Sequence, residues 1–161
     1  MKNTNQKSTF MTHAAMIAAI YVVLTYIFAP FSFGDVQVRI AEALTILPIF
    51  TPAAIPGLFI GCLIGNILGG AILPDIIFGS LATFIGAAFT YFLRKKSQFL
   101  CILPPIVSNT IIVPLVLKYG YGMNLPISFL MLTIGIGEII SCGLLGLILY
   151  YALRKYRKIL F

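Results

Sequence analysis

Long apolar runs separated by short polar breaks set the pattern of this chain of 161 residues. A membrane-spanning helix needs about 20 consecutive apolar residues, and proline-containing breaks such as those at Pro30 and Pro52 punctuate the runs. The pattern therefore predicts six membrane helices, over residues 11–29, 40–50, 55–72, 76–93, 99–117 and 125–153. The second is short, which leaves a tilted, partial or re-entrant helix open, since backbone at membrane depth must be covered by protein or water.

The composition supports a membrane protein over a soluble one. The chain is 60% hydrophobic and only 9% charged, with a mean hydropathy of +1.06. A soluble fold cannot bury that much apolar surface. Six spans with short loops use the whole length, so we expect residues 1–161 to form a single all-α integral membrane domain.

The charges predict the orientation. The net charge is +7, and the basic residues cluster before the first span, after the fourth at residues 94–96 and after the sixth at residues 154–158. With six spans, all three clusters lie on one side, which the positive-inside rule makes cytoplasmic. We therefore expect both termini in the cytoplasm and the protein in the cell membrane, with the basic residues acting as topology and anionic-lipid signals and not as a nucleic-acid surface.

Glu138 is the only charged residue in the run 125–153 and falls near its middle. A charge at that depth costs roughly 2.5–3.5 kcal/mol on insertion scales, so it usually faces a cavity or a partner. Gly135, Gly137 and Gly143 flank it with small side chains that let a larger group approach. A ligand-binding role is favoured, and the alternative is a partnership with Asn109 or a backbone group that holds helices together.

Other polar residues lie at or near the outer half of the predicted spans. Asn109 is inside the fifth span, and Asp75 follows Pro74 in a predicted outer loop. Arg39 and Glu42 are three residues apart, hence neighbours on a helix. That pair is either part of a binding site or a local ion pair at a helix start, where glutamate is also favoured by the helix dipole.

Small residues recur at helical spacing on two of the predicted spans. Glycine occurs at every fourth position in the third span, at Gly57, Gly61, Gly65 and Gly69. That face predicts close helix packing inside the bundle in preference to a dimer interface. The first span carries two overlapping Ala-x-x-x-Ala pairs, Ala14, Ala15, Ala18 and Ala19, which suit packing within the bundle or docking of another membrane subunit equally well.

Signals of catalysis, metal binding and cofactor binding are absent from the sequence. There is one histidine, His13, and the three cysteines are scattered through apolar stretches without metal-ligand or redox spacing. No HExxH, GxSxG or P-loop motif occurs. We expect no enzyme activity, no metal and no cofactor in this chain, so active transport would need ATP hydrolysis by partner subunits.

Two segments carry a resemblance to a known family. VQVRIAEALTILP (residues 36–48) and AIPGLFIGCLIGNILGG (residues 54–70) resemble the QueT family, the queuosine-precursor S components of energy-coupling factor (ECF) transporters. The resemblance implies a six-helix bundle that binds 7-aminomethyl-7-deazaguanine from outside. It further implies docking through the alanine motif of the first helix on a transmembrane coupling subunit that carries two ATPases.

The polar residues suit such a ligand. A guanine-like base offers adjacent N–H donors that one carboxylate can accept together, and its carbonyl suits an asparagine amide. The aminomethyl cation suits a second carboxylate or an aromatic face. We expect Glu138 to bind the base edge with Asn109. Glu42 or Asp75 would bind the ammonium, although the two carboxylate roles could be exchanged. The predicted site also includes Arg39 and Phe33, a stacking residue of the first loop.

Two alternative functions remain at this stage. The chain could be an S component for another vitamin-like base or amine, since the acidic residues argue for a cationic or N–H-rich ligand in general. It could instead be a small self-associating membrane protein without a transport role, with the glycine face as its contact surface.

Overall fold

The computed structural model describes residues 2–32 and 37–157, which form an all-α structure as predicted. Its helices are α1 (Lys2–Ile27), α2 (Ile40–Ile49), α3 (Ala54–Leu68), α4 (Leu73–Leu93), α5 (Gln98–Gly120) and α6 (Ile127–Arg154). A short helical turn, Ala29–Ser32, follows α1. Helix α5 is interrupted at Ile102, and both α5 and α6 contain a π-helical stretch.

The second predicted helix is short, as expected, whereas the third is shorter than the predicted span of residues 55–72. Four helices in the described part are long and apolar enough to cross a membrane, namely α1 from Gln6, α4, α5 and α6, whereas α2 and α3 are shorter. Helix α2 is a 3-10 helix of 10 residues. At about 2.0 Å per residue it rises roughly 20 Å, more than an α-helix of the same length would.

Several predicted boundaries also shift, each for a local reason. Helix α1 begins at Lys2, well before residue 11. Helix α3 ends at Leu68 and not at 72, because two glycines follow and Gly70 has φ 74°. Helix α4 begins at Leu73, with Pro74 in its first turn, where a missing N–H costs nothing. Asp75 therefore lies in the first turn of α4 and not in an outer loop.

Helix α2 runs through the interior of the bundle. Every residue from Ala41 to Ile49 is buried, and α2 contacts α1, α3, α4 and α6. Its backbone is thus covered by protein, the condition under which a short segment is tolerated at membrane depth. The central position of α2 brings the Glu42 side chain into the middle of the molecule.

The glycine face of α3 packs against α1. A Cβ added at Gly57 would lie 2.7 Å from the carbonyl oxygen of Ala14, and one added at Gly61 would lie 2.8 Å from Cβ of Tyr21. Gly65 faces Thr25 in the same way. The two helices therefore run parallel, with their backbones in close contact. Gly69 departs from the predicted face, because it lies just beyond the end of α3 and is exposed.

Candidate functional site

Three of the chain's four acidic residues are buried inside the bundle. Glu42, Asp75 and Glu138 are 1%, 3% and 5% exposed, and Arg39 is 8% exposed. The fourth acidic residue, Asp35, lies outside the described residues. Buried charges are costly unless they are paired and hydrogen-bonded, so such a concentration of them indicates a site.

These charges belong to one connected group of side chains, here called the polar cluster. Its members come from all six helices and the segment just before α2, and they are linked by hydrogen bonds or by electrostatic interaction. They are Tyr21, Arg39, Glu42, Thr45, Cys62, Asn66, Asp75, Thr83, Asn109, Glu138 and Cys142.

Glu42 lies at the centre of the polar cluster, in the first turn of α2. The Tyr21 hydroxyl on α1 donates to Oε1 of Glu42, and Thr83 Oγ1 on α4 donates to the same oxygen at 3.0 Å. Among the described residues, Oε2 of Glu42 has no hydrogen-bond partner although it is buried. A buried acceptor without a partner is costly, so this oxygen is the natural place for a donor from a ligand.

Glu138 lies close to Glu42, on α6. Cys142 Sγ donates to Oε2 of Glu138 at 3.1 Å, and Asn109 on α5 interacts with the same carboxylate. A carboxylate oxygen of Glu42, one of Glu138 and the Cys142 sulfur all lie within 4.8 Å of one another. The two carboxylates therefore face the same small volume, which a cation or a group with several N–H donors would satisfy.

The backbone of α6 changes directly after Glu138. The regular helix ends at that residue, and Ile139–Leu145 is π-helical. Such π-helical segments are rare and often occur at functional sites, because the extra residue per turn re-aims the side chains around it. Here the change includes Cys142, the partner of Glu138.

Arg39 extends the polar cluster toward α3 and α4. Its Nη1 lies 3.7 Å from Cys62 Sγ, and it is within electrostatic range of both Glu42 and Asp75. Asn66 Nδ2 lies 3.7 Å from the same sulfur and donates to the Asp75 carbonyl oxygen at 3.4 Å. Glu138 also interacts electrostatically with Arg39, so three acidic side chains lie within range of one guanidinium and favour a cationic ligand.

Tyr121 closes the Asp75 end of the polar cluster. This residue lies between α5 and α6, where its hydroxyl donates to Asp75 Oδ2 at 3.1 Å and accepts from the Ile72 backbone N–H at 3.3 Å. Partial burial raises the pKa of the Tyr121 phenol above its ordinary value, so the hydroxyl stays protonated and can donate at neutral pH. Asp75 is thereby already occupied by a partner within the chain.

The segment before α2 rests directly on α6 beside Glu138. A Cβ added at Gly137 would lie 2.1 Å from the carbonyl oxygen of Gln37 and 3.6 Å from the amide nitrogen of Val38. Only a glycine permits this approach of the two backbones. The contact fixes the position of the chain just before Arg39 and so positions that side chain in the polar cluster.

The polar cluster gathers most of the predicted binding residues. Glu138, Asn109, Glu42, Arg39 and Asp75 all belong to it, although they come from four different parts of the chain. Phe33, the predicted stacking residue, lies outside the described residues.

The predicted site left out six members of the polar cluster, namely Tyr21, Thr45, Cys62, Asn66, Thr83 and Cys142. Cys142 could have been found, since it follows Glu138 by four residues and shares its helix face. Cys62 and Thr83 carried no such signal, because isolated cysteine and threonine in apolar helices are usually packing residues. Tyr21 likewise looked like one more aromatic residue in an apolar span.

The four predicted docking alanines line one groove between α1 and α3. The groove has a volume of about 730 Å³ and includes Ala14, Ala15, Ala18 and Ala19 together with apolar residues such as Val22 and Ile60. Ala15 and Ala19 are exposed, whereas Ala18 is buried against α3. The groove thus has a floor of small residues and a wholly apolar wall.

Comparisons with known proteins point to a single family. The family model described as QueT transporter matches residues 11–155. A curated relative, the queuosine precursor transporter QueT of Lactococcus lactis subsp. cremoris (strain MG1363), is 36% identical over 89 residues, which are 53% of this chain and 52% of the relative. The match therefore spans about half the length of that relative. No solved structure matches the chain.

Proposed function

We propose, from the premise that this chain belongs to the QueT transporter family, that it is the membrane-embedded substrate-binding subunit of an importer of a queuosine precursor. The relative named above is a queuosine precursor transporter, and family membership favours a transporter over an enzyme. The observation that carries the proposal is the buried pairing of Glu42 and Glu138 in the polar cluster.

The ligand that best suits this pairing is 7-aminomethyl-7-deazaguanine. Glu138 accepts the adjacent N–H donors of the base edge, and the Asn109 amide meets the base carbonyl. The unpartnered Oε2 of Glu42 accepts from the aminomethyl ammonium. Glu42 is a better ammonium partner than Asp75, because Asp75 Oδ2 already accepts from Tyr121.

Energy for uptake comes from other subunits in this proposal. The chain has no P-loop, so ATP hydrolysis belongs to two partner ATPases held by a transmembrane coupling subunit of an ECF module. The alanine groove between α1 and α3 supports docking of that coupling subunit, because small exposed residues such as Ala15 and Ala19 allow close helix approach. Both termini lie in the cytoplasm under the positive-inside rule.

The contact between α1 and α3 weakens the self-association alternative. That alternative relied on the glycine face of α3 as a free surface, but Gly57, Gly61 and Gly65 are buried against α1. Transport of another vitamin-like base or amine remains the alternative that a ligand panel must separate.

Equilibrium binding to the purified protein tests the proposed ligand. We expect 7-aminomethyl-7-deazaguanine to bind at least about tenfold more tightly than guanine, because a hydrogen bond to a charged group contributes roughly 1.5–3 kcal/mol. The 7-cyano analogue, which is similar in size but carries no cation, should behave like guanine. If monodisperse protein binds another base or amine and not this ligand, the queuosine assignment fails.

A separate variant tests the docking groove. We expect Ala19→Leu to leave ligand affinity within about twofold and to lower uptake by the assembled transporter at least about tenfold, since a larger side chain fills the groove that the partner helix needs. Uptake into cells or proteoliposomes containing the full ECF module measures this. Ala152→Leu is the matched control, because Ala152 is exposed on α6 away from the groove. Equal uptake by both variants would refute docking through this groove.

A further inference from the structure

A second concave site lies at the end of the bundle where α2, α4 and α6 finish. This basic cavity has a volume of about 690 Å³ and is separate from both the polar cluster and the alanine groove. Its lining combines basic and aromatic side chains with the segment after α2. The basic members are Arg94, Lys95, Arg154 and Arg157, and the aromatic members are Phe50, Tyr91 and Tyr150.

The positive charge of the basic cavity is not balanced by acidic residues in its wall. Across residues 2–32 and 37–157, the three carboxylates are Glu42, Asp75 and Glu138, and none of them lines this cavity. One or two cations at the helix C-termini are expected from the helix dipole alone. Four basic side chains around one cavity exceed that need and suit an anionic ligand.

The aromatic residues hold part of this basic set in place. The Arg94 guanidinium carbon lies 3.6 Å from the centre of the Tyr91 ring, a distance at which the planar guanidinium stacks on the ring. The Tyr150 ring stacks on Phe50 with centroids 5.5 Å apart. A stacked guanidinium keeps its N–H groups free at the edge, where they can bind a phosphate oxygen with two parallel hydrogen bonds.

We infer that the basic cavity binds a phosphate group, supplied by the headgroup of an anionic membrane phospholipid. Basic pockets between membrane helices on the cytoplasmic side bind such headgroups, and the same ends of α4 and α6 carry the basic runs at residues 94–96 and 154–158. The phosphate is held by Arg94 and Arg154, and the glycerol and acyl chains extend along the exposed sides of α4 and α6. This inference does not depend on the identity of the imported ligand.

Thermal unfolding of the full chain in detergent micelles tests the inference. Micelles are doped with increasing fractions of phosphatidylglycerol or, as the uncharged reference, phosphatidylcholine. We expect phosphatidylglycerol alone to raise the melting temperature. We expect Arg94→Gln/Arg154→Gln to need about 30-fold more of it for half-maximal stabilisation, since each basic residue near an anionic surface contributes about fivefold. A parallel titration with inorganic phosphate and glycerol phosphate tests a soluble source of the same group.

The matched control is Lys96→Gln/Lys155→Gln, which removes the same two charges next to the cavity residues in sequence but outside the cavity lining. It should respond to phosphatidylglycerol like the parent. An equal shift in both double variants would assign the effect to diffuse surface charge and overturn the site, as would no response to any phosphate compound. If inorganic phosphate saturates the stabilisation, and only the cavity variant loses this response, the cavity still binds phosphate but the phosphate comes from solution and not from a lipid.

Should the double variant fail to fold, Arg157→Gln, at an exposed position, replaces it with about a fivefold expected effect.

Discussion

Replacing Glu138 by glutamine is expected to weaken binding of 7-aminomethyl-7-deazaguanine by about 100-fold. Glu138 is 5% exposed and is proposed to accept two N–H donors of the base, and losing one partner of a buried charge-assisted contact costs roughly 2–5 kcal/mol. The glutamine amide keeps the size of the side chain but turns one acceptor into a donor that faces the donors of the base. Isothermal titration calorimetry on purified protein measures the change.

The companion variant Glu42→Gln separates the two carboxylate roles. If Glu42 meets the ammonium, its substitution lowers affinity for the aminomethyl ligand toward that for guanine and leaves guanine binding nearly unchanged. Glu138→Gln should instead weaken both ligands together. If Glu138→Gln affects only the aminomethyl ligand and Glu42→Gln weakens both ligands, the two roles are exchanged. If both variants lose affinity for both ligands equally, the two carboxylates do not have separate roles. Thr90→Val is the control for losing a buried hydrogen-bonding group elsewhere in the bundle. Thr90 donates to the Cys101 carbonyl oxygen at 2.8 Å and lies outside the polar cluster.

Substitution of Gly137 by alanine is the second large effect we expect. The added Cβ would lie 2.1 Å from the Gln37 carbonyl oxygen, so the backbone of the segment before α2 must move away from α6. That movement displaces Arg39 from the polar cluster, and we expect affinity for the ligand to fall at least about tenfold, because small misplacements at a binding site carry large penalties. Helix α6 itself should remain folded, since alanine favours helix by about 1 kcal/mol over glycine.

Gly135→Ala is the matched control for this experiment. It makes the same substitution two residues earlier on α6, where an added Cβ meets only the Thr110 side chain, at ordinary distances of 3.5 Å from Cγ2 and 3.6 Å from Oγ1. Ligand affinity should stay within about twofold of the parent, and the melting temperature should not fall. If both variants lose affinity equally, the contact with Gln37 does not position the site.

The apolar pattern was sufficient to predict all six helices but not the 3-10 geometry of α2. A long apolar run such as the one around Glu138 must form a helix in a bilayer, because a single segment can pair all its backbone N–H and C=O groups there only as a helix. In residues 40–50 nearly every position is apolar, so the pattern has no period that separates a 3-10 helix from an α-helix. The decisive factor is burial of α2 on all sides by four other helices, which is a tertiary effect.

Membership of the polar cluster could be predicted only for residues that are conspicuous in apolar surroundings. Glu138, Glu42 and Asn109 stand out because a charge or an amide in a span needs a reason. Tyr21 and Thr83 do not, since tyrosine and threonine are common in membrane helices, and their part depends on which face α1 and α4 turn toward α2. Asp75 was predicted as a site residue but was assigned to a loop, because a proline precedes it. In the structure Pro74 lies in the first turn of α4, and Asp75 follows it there.

The two surfaces of α1 have a thermodynamic consequence. One surface carries the alanine groove, and the other carries Tyr21, whose hydroxyl donates directly to Glu42. A docked partner that displaces α1 therefore changes the hydrogen bonding of Glu42 through a single side chain. Linkage is reciprocal, so whatever factor docking imposes on ligand affinity, the bound ligand imposes on docking. Molecules with and without bound ligand would then differ in affinity for a coupling subunit, and no separate element would be needed to detect the bound ligand.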